Sequence, residues 1–140
     1  MKTVLTDSPE ATEKIAINLG KELKKGETVT LTGELGAGKT LFSKGIAKGM
    51  GIKEDITSPS FSLLESYDNE IPLYHFDLYR ISSENELDEL YFEEYWEGDG
   101  VSIIEWPDRA GNRLPEKRID IHIGYIDSNR RRIDIEYTGY

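Results

Sequence analysis

Cysteine is absent from all 140 residues, which excludes disulfide bridges, thiolate metal ligands and cysteine nucleophiles together and suits a reducing compartment. Positive charge is scarce: 17 Lys and Arg stand against 27 Asp and Glu, a formal net charge of −10. Gripping a nucleic acid unaided takes clustered Lys and Arg to neutralise phosphates, so a chain with a pI near 4.7 is poorly suited to that task. No stretch approaches the ~18 apolar residues of a membrane-spanning helix. The opening string MKTVLTDSPEATEK meets acid at Asp7 before any apolar run forms, unlike a secretory signal, so a cytoplasmic location without membrane attachment is expected. Internal repeats, low-complexity tracts and linkers are also missing. What is present is a globular balance, 37% hydrophobic and 31% charged, at a length that predicts one domain over residues 1–140.

Ser8-Pro9-Glu10 reads as an N-cap, a first-turn proline and a first-turn acid. Behind it Ala11, Ile15, Leu19 and Leu23 recur every four residues, predicting one apolar helix face that stops at Gly26. Residues 28–32 are short and β-branched, a strand pattern. After a glycine-rich turn, Leu41, Phe42, Ile46 and Met50 mark a second helix ending around Gly49 and Gly51. Residues 61–67 and 71–77 flank Asp68-Asn69-Glu70 as a predicted hairpin. Ser83-Glu84-Asn85-Glu86 fits a capping box, with Leu87 and Leu90 opening the stripe of an acidic helix. Val101-Ser102-Ile103-Ile104 has the nearly continuous apolar pattern of a strand buried on both faces. Residues 106–115 read as loop, and residues 119–126 and 132–137 as a C-terminal hairpin around Asp127-Ser128-Asn129.

Gly33-Glu34-Leu35-Gly36-Ala37-Gly38-Lys39-Thr40 matches the pattern G-x-x-x-x-G-K-S/T in full. The spacing has a physical reason. Successive N–H groups curl around a β-phosphate only where glycines permit unusual backbone angles and close approach. Lys39 then bridges β- and γ-phosphate oxygens, the Thr40 hydroxyl ligates Mg²⁺, and the following helix turns its positive N-terminus to the same anion. The β-branched strand before the loop and the helix after it supply the context the motif requires. The expected fold is therefore α/β: a P-loop NTPase-like domain whose mixed sheet has a parallel centre, antiparallel edge hairpins and flanking helices.

Such a loop needs an acid to hold the metal's water shell and a group to position the attacking water. In open α/β sheets these collect at the C-terminal ends of strands. Two acids qualify: Glu105 ends the apolar run 101–104, and Asp77 ends Leu73-Tyr74-His75-Phe76. Each also fits an ordinary solvated strand-end carboxylate. His75 shares a strand face with Asp77, and fits either a hydrogen bond within the site or a satisfied structural histidine. Arg80 is near enough in sequence to serve a phosphate or an acid, and equally fits a surface ion pair. The run Arg130-Arg131-Arg132 beside a turn reads as a solvated hairpin, given the acidity of the chain.

Beyond the loop, Thr57-Ser58-Pro59-Ser60-Phe61, His75-Phe76-Asp77-Leu78-Tyr79-Arg80 and Glu105-Trp106-Pro107 follow in that order. Together with residues 33–40 they make the chain resemble the bacterial TsaE (YjeE) family over nearly its whole length. The His-x-Asp-x-Tyr-Arg string and the Glu-Trp-Pro triplet are specific to that family, whereas the P-loop is shared by many ATPases and GTPases. The resemblance implies a small Mg²⁺-dependent ATPase that works with the TsaB–TsaD complex. That complex places threonylcarbamoyl on the adenosine beside the anticodon of tRNA. ATP hydrolysis would reset the complex between turnovers, with tRNA met only through it.

The same resemblance implies roles residue by residue. Gly33, Glu34, Leu35, Gly36, Ala37, Gly38, Lys39 and Thr40 match the nucleotide-binding loop, and Thr40 with Glu105 the Mg²⁺ ligands. Asp77 matches an acid needed for hydrolysis, and takes the metal role if Glu105 does not; Lys39, Asp77 and Glu105 are the catalytic set. Trp106 matches a residue near the nucleotide, Glu10 a nucleotide-contact position and Arg130 a C-terminal one. Leu41, also at the nucleotide, stands where the family often repeats threonine, which removes one hydroxyl contact and leaves Thr40 intact. Residues 57–61, with hydroxyls on both sides of a proline, are the expected sensor of the γ-phosphate.

Two other classes use such a loop. A GTPase-type switch would explain Asp108-Arg109-Ala110-Gly111 as D-x-x-G, but no N-K-x-D guanine-reading string exists in the chain. A small-molecule kinase needs an arginine-bearing lid, and residues 84–97 are acidic and aromatic instead.

Overall fold

Seven β-branched or alternating runs pair into one sheet. The computed structural model describes residues 1–34, 37–56, 63–81, 86–87, 92–96 and 98–140. In chain order the elements are β1 (Lys2–Thr6), α1 (Pro9–Glu22), β2 (Thr28–Gly33), α2 (Lys39–Gly49), β3 (Leu64–Tyr67), β4 (Leu73–Asp77), a short α3 (Phe92–Trp96), β5 (Val101–Glu105), a 3-10 helix (Pro107–Arg113), β6 (Arg118–Tyr125) and β7 (Arg131–Thr138). The strand order is β1-β7-β6-β2-β5-β4-β3. Strands β6, β2, β5 and β4 run parallel, while β3 at one edge and β7 with β1 at the other are antiparallel to their neighbours. This is the mixed sheet the sequence predicts.

A parallel strand needs cover on both faces, and the residues divide accordingly. Val29, Leu31, Leu73, Val101, Ile103, Ile119, Ile121 and Ile123 pack under α1 and α2, with Phe42 and Ile46 from α2. On the opposite face Phe76, Leu78 and Ile104 meet Ile81, Leu87, Trp96 and Ala110. Every residue of β5 is buried.

Helix α1 begins as its sequence dictates, with Ser8 Oγ accepting from Ala11 N at 3.1 Å. Its buried face follows the predicted one in part: Leu19 and Leu23 are buried and Ile15 packs against the core, but Thr12, Ala16 and Gly20 turn inward with them, while Ala11 and Ile15 are only half-buried. The cause is the neighbour. A Cβ on Gly20 would strike the Ile46 carbonyl of α2, one on Gly49 the Ile17 carbonyl of α1, and one on Gly45 would come 2.5 Å from Ala16 Cβ. Small residues let the helix backbones touch, and that contact turns α1 toward its small face.

Further differences have local reasons. Strand β1 was not expected, because five residues ahead of a cap carry little signal until β7 supplies the partner, with Lys2 opposite Ile135 and Thr6 opposite Arg131. The β3–β4 connection spans residues 68–72 rather than three residues, since Tyr67 pairs with Leu73. Asn69 Nδ2 donates to Met50 O at 3.0 Å and Ile71 O at 3.2 Å, fastening that loop to the end of α2. The expected loop at 106–115 contains the 3-10 helix, kinked at Gly111 where φ is +56°. Residues 61–62 of the predicted strand, Ser83, Glu84 and Asn85 of the capping box, and Leu90 lie outside the described residues.

The helix contact gives a direct test. Gly49→Ala is expected to lower stability by about 1–3 kcal/mol through overpacking, measured by denaturant unfolding. An unchanged midpoint would contradict the close approach of α1 and α2.

Candidate functional site

Parallel pairing brings the C-terminal ends of β2, β5 and β4 to one edge of the sheet. Glu105 lies opposite Leu31 of β2 on one side and Asp77 of β4 on the other. Two residues past Leu31 the chain leaves β2 at Gly33, where a Cβ would lie 2.7 Å from the Ile123 carbonyl of β6. The glycine is needed for this close approach. Ala37 N then donates to Glu34 O at 2.9 Å, closing a tight turn. Gly38 caps α2 in the left-handed region (φ 106°, ψ 22°), with nothing within 4 Å of where a Cβ would stand. The N-cap residue Gly38 has no side chain to cap α2, which suits the helix N-terminus to an anion.

Lys39 Nζ rests 5.0 Å from the centre of the Trp106 ring. Trp106 holds φ 58° and ψ 51°, a strained conformation for a bulky residue, as the chain turns from β5 into the 3-10 helix. Tyr79 packs on the same ring at 4.9 Å between centroids, and the Arg109 guanidinium lies 5.9 Å from it while donating to Ile81 O at 3.2 Å. Asp77 is half-buried and its Oδ1 accepts from Tyr79 N at 3.0 Å, so the carboxylate shapes the turn that carries Tyr79 to Trp106. Glu105 is 5% exposed, with Oε2 at 2.7 Å from Nε2 of the buried His75.

A second group of residues closes the loop from the other side. A cavity of about 50 Å³ lies between Pro9 and Thr12 of α1, Ala37, Gly38 and Leu41, and Ser128, Asn129 and Arg131 of the β6–β7 hairpin. Arg131 Nε donates to the Ala37 carbonyl at 2.8 Å, and its guanidinium lies 4.6 Å from the Tyr125 ring.

Lys39, Asp77, Glu105 and Trp106 are thus brought together at one edge, with Thr40 in the first turn of α2. Glu34 is exposed at the start of the loop; Leu35 and Gly36, like the expected sensor at 57–61, lie outside the described residues. Glu10 is exposed in the first turn of α1, next to the cavity residue Pro9. Arg130 points away, 62% exposed and bound to Asp127 Oδ2 at 2.6 Å, so its neighbour Arg131 is the arginine that reaches the loop. Arg80 is exposed in the turn after β4. Asp108 of the D-x-x-G string lines a groove with Asp120 and Arg118 on the other face of the sheet, away from Lys39.

In the sequence Pro9, Ser128 and Asn129 have only structural places, Arg109 only a place in the D-x-x-G string, and Thr12 none, so none of them is assigned to this site. For Arg131 a signal existed, since it alternates with buried Ile133 and so faces inward, unlike Arg130 and Arg132. No group of three His, Asp or Glu side chains forms a metal cage among the described residues. The donor set fits Mg²⁺ nonetheless, because that ion is held by one or two carboxylates, a hydroxyl and substrate phosphates, all hard oxygens. Thr40, Glu105 and Asp77 are of that kind.

A family model described as "Threonylcarbamoyl adenosine biosynthesis protein TsaE" matches residues 6–133. Among curated relatives, the "tRNA threonylcarbamoyladenosine biosynthesis protein TsaE" of Bacillus subtilis is 40% identical over 96% of this chain and 84% of its own length. The protein of the same name from Treponema pallidum is 39% identical over 91% of this chain and 95% of its own. The chain is also similar to the crystal structure of Bacillus subtilis YdiB, with a TM-score of 0.80 and 37% identity over 99% of this chain and 86% of that one.

The hairpin tip beside the cavity carries its own pH signature. Asp127 accepts hydrogen bonds from the Arg130 guanidinium, from Arg130 N at 2.8 Å and from Asn129 N at 3.0 Å, and these hold its carboxyl down at about 2. The charged form is favoured on folding, so its contribution is complete above the ordinary carboxylate value of 3.8 and is lost as pH falls through about 2. A carbon-13 NMR titration is expected to give Asp127 a midpoint near 2, moving toward 3.8 in Arg130→Gln. A wild-type midpoint at the ordinary value would contradict the turn geometry.

Proposed function

The chain belongs to the TsaE family of tRNA threonylcarbamoyladenosine biosynthesis, and from that premise we propose that residues 1–140 work as one Mg²⁺-dependent ATPase domain serving a TsaB–TsaD complex. The observation that carries this reading is the convergence of the 33–40 loop with Glu105 and Asp77 at the ends of three adjacent parallel strands. A left-handed glycine at the N-cap of α2, which brings no side chain there, supports the reading of a triphosphate-binding loop. Lys39 leaves the Trp106 ring for the β/γ-phosphate oxygens. Thr40 and Glu105 would hold Mg²⁺, which when bound would supply positive charge beside the γ-phosphoryl group. Asp77, on the same sheet face as Glu105, orients the attacking water.

Two features support a dependence on partners. Arg109 is engaged by the Ile81 carbonyl, Tyr79 and Trp106, and Arg80 is exposed, so neither is held as a transition-state arginine, a group worth ~10³–10⁵ in rate. The net charge of −10 disfavours direct contact with tRNA, which is met through the complex. No described helix is long and apolar enough to cross a membrane.

The test is ATP hydrolysis by the chain alone and with TsaB–TsaD, with Asp77→Asn as the control. The isolated wild type should turn over slowly and the complex should change its rate. Asp77→Asn should bind ATP in calorimetry and lose ~10²-fold or more in turnover. Equal rates with and without the complex, or normal hydrolysis by the variant, would contradict the proposal.

A further inference from the structure

Among the described residues, His75 is a buried polar side chain at this edge of the sheet without an assigned task. It is 1% exposed, and its Nε2 stands 2.7 Å from Glu105 Oε2. In the β4–β5 register His75 lies opposite Ile103 and Asp77 opposite Glu105, so the contact runs diagonally toward the strand ends. An ionised carboxylate only accepts, so with Glu105 ionised the ring nitrogen facing Oε2 would be the donor. The other ring nitrogen, Nδ1, has no hydrogen-bond partner among the described residues. The histidine is therefore spent on a single bond, to the acid.

We propose that His75 is a positioning residue for Glu105: its Nε2–H pins one carboxylate oxygen and leaves the other turned toward the metal side of the site. The proposal rests on the Mg²⁺-ATPase reading above. The terminal torsion of a glutamate is broad and two-fold, so an unpinned carboxylate would sample many orientations. Here the carboxylate ends a strand buried along its whole length, and its register neighbours, Leu31 of β2 and the carboxylate Asp77 of β4, offer no donor side chain. A bond to His75 both offsets the cost of burying the charge and fixes its rotation. Loss of such an outer partner typically costs a metal site ~10–100-fold in affinity.

The variants separate pinning from packing. Glutamine carries an amide nitrogen at the reach of Nε2, asparagine one only at the reach of Nδ1, and leucine none. ATP affinity of the full chain would be measured by calorimetry with Mg²⁺ and with EDTA. His75→Gln should keep the wild-type gain from Mg²⁺, whereas His75→Asn and His75→Leu should lose ~10-fold or more of it, with affinity in EDTA unchanged. A full gain in Asn or Leu, or a loss in Gln as deep as in Leu, would overturn the proposal. A wild-type affinity indifferent to Mg²⁺ would instead overturn the ATPase reading and the proposal with it. Variants that fail to fold do not block the test, because nitrogen-15 NMR of wild-type histidine side chains reads the bond itself. A slowly exchanging proton on His75 Nε2 is expected, and protonation at Nδ1 alone would overturn the proposal.

Discussion

Parallel pairing of β5 with β2 on one side and β4 on the other governs where chemistry can happen in this fold. Both faces of β5 are covered, and all five of its residues are buried. A slip of one residue would exchange the two faces, turning Glu105 toward the Phe76 cluster and Ile104 toward α2. Because all three strands point the same way, their last residues reach the edge together. An apolar slab thus ends in one polar rim holding the glycine loop, Glu105 and Asp77.

The remaining elements keep that rim in place. Helix α2 must start at the rim, and its contact with α1 through Gly20, Gly45 and Gly49 leaves little freedom to tilt or slide. Behind the loop, Arg131 holds the Ala37 carbonyl, so the C-terminal hairpin supports the glycine loop from a position about a hundred residues later in the chain. In front, Trp106 accepts a left-handed backbone in order to lay its ring beside Lys39 and Tyr79. Strain at such a position persists only where packing over-determines it, and here Tyr79, Arg109 and Lys39 all bear on the ring.

Local rules made much of this legible in advance. The Ser8 cap, the β-branched run of β2, the apolar run of β5 and the C-terminal hairpin each announce themselves within a few residues, and the glycine motif names its own chemistry. What escaped depends on contacts between distant segments. The inward face of α1 follows from how closely α2 approaches, and β1 exists because β7 offers it a partner. The His75–Glu105 bond joins strands 30 residues apart, so sequence alone left His75 between a site role and a core role. Arg131 was passed over in favour of Arg130, although alternation with Ile133 carried the clue. The 3-10 helix escaped for a different reason, since short tight helices carry no amphipathic period to read.

Three strand ends are proposed to form one nucleotide and metal site. A crystal structure of the chain with a non-hydrolysable ATP analogue and Mg²⁺ tests it most directly. The phosphates should lie against the amides at the start of α2, with Lys39 moved off Trp106. The metal should sit at ~2.1 Å from Thr40 Oγ1, with Glu105 bound to it directly or through one of its waters. Phosphates seated away from Gly38, or a metal with no link to the end of β5, would contradict the account.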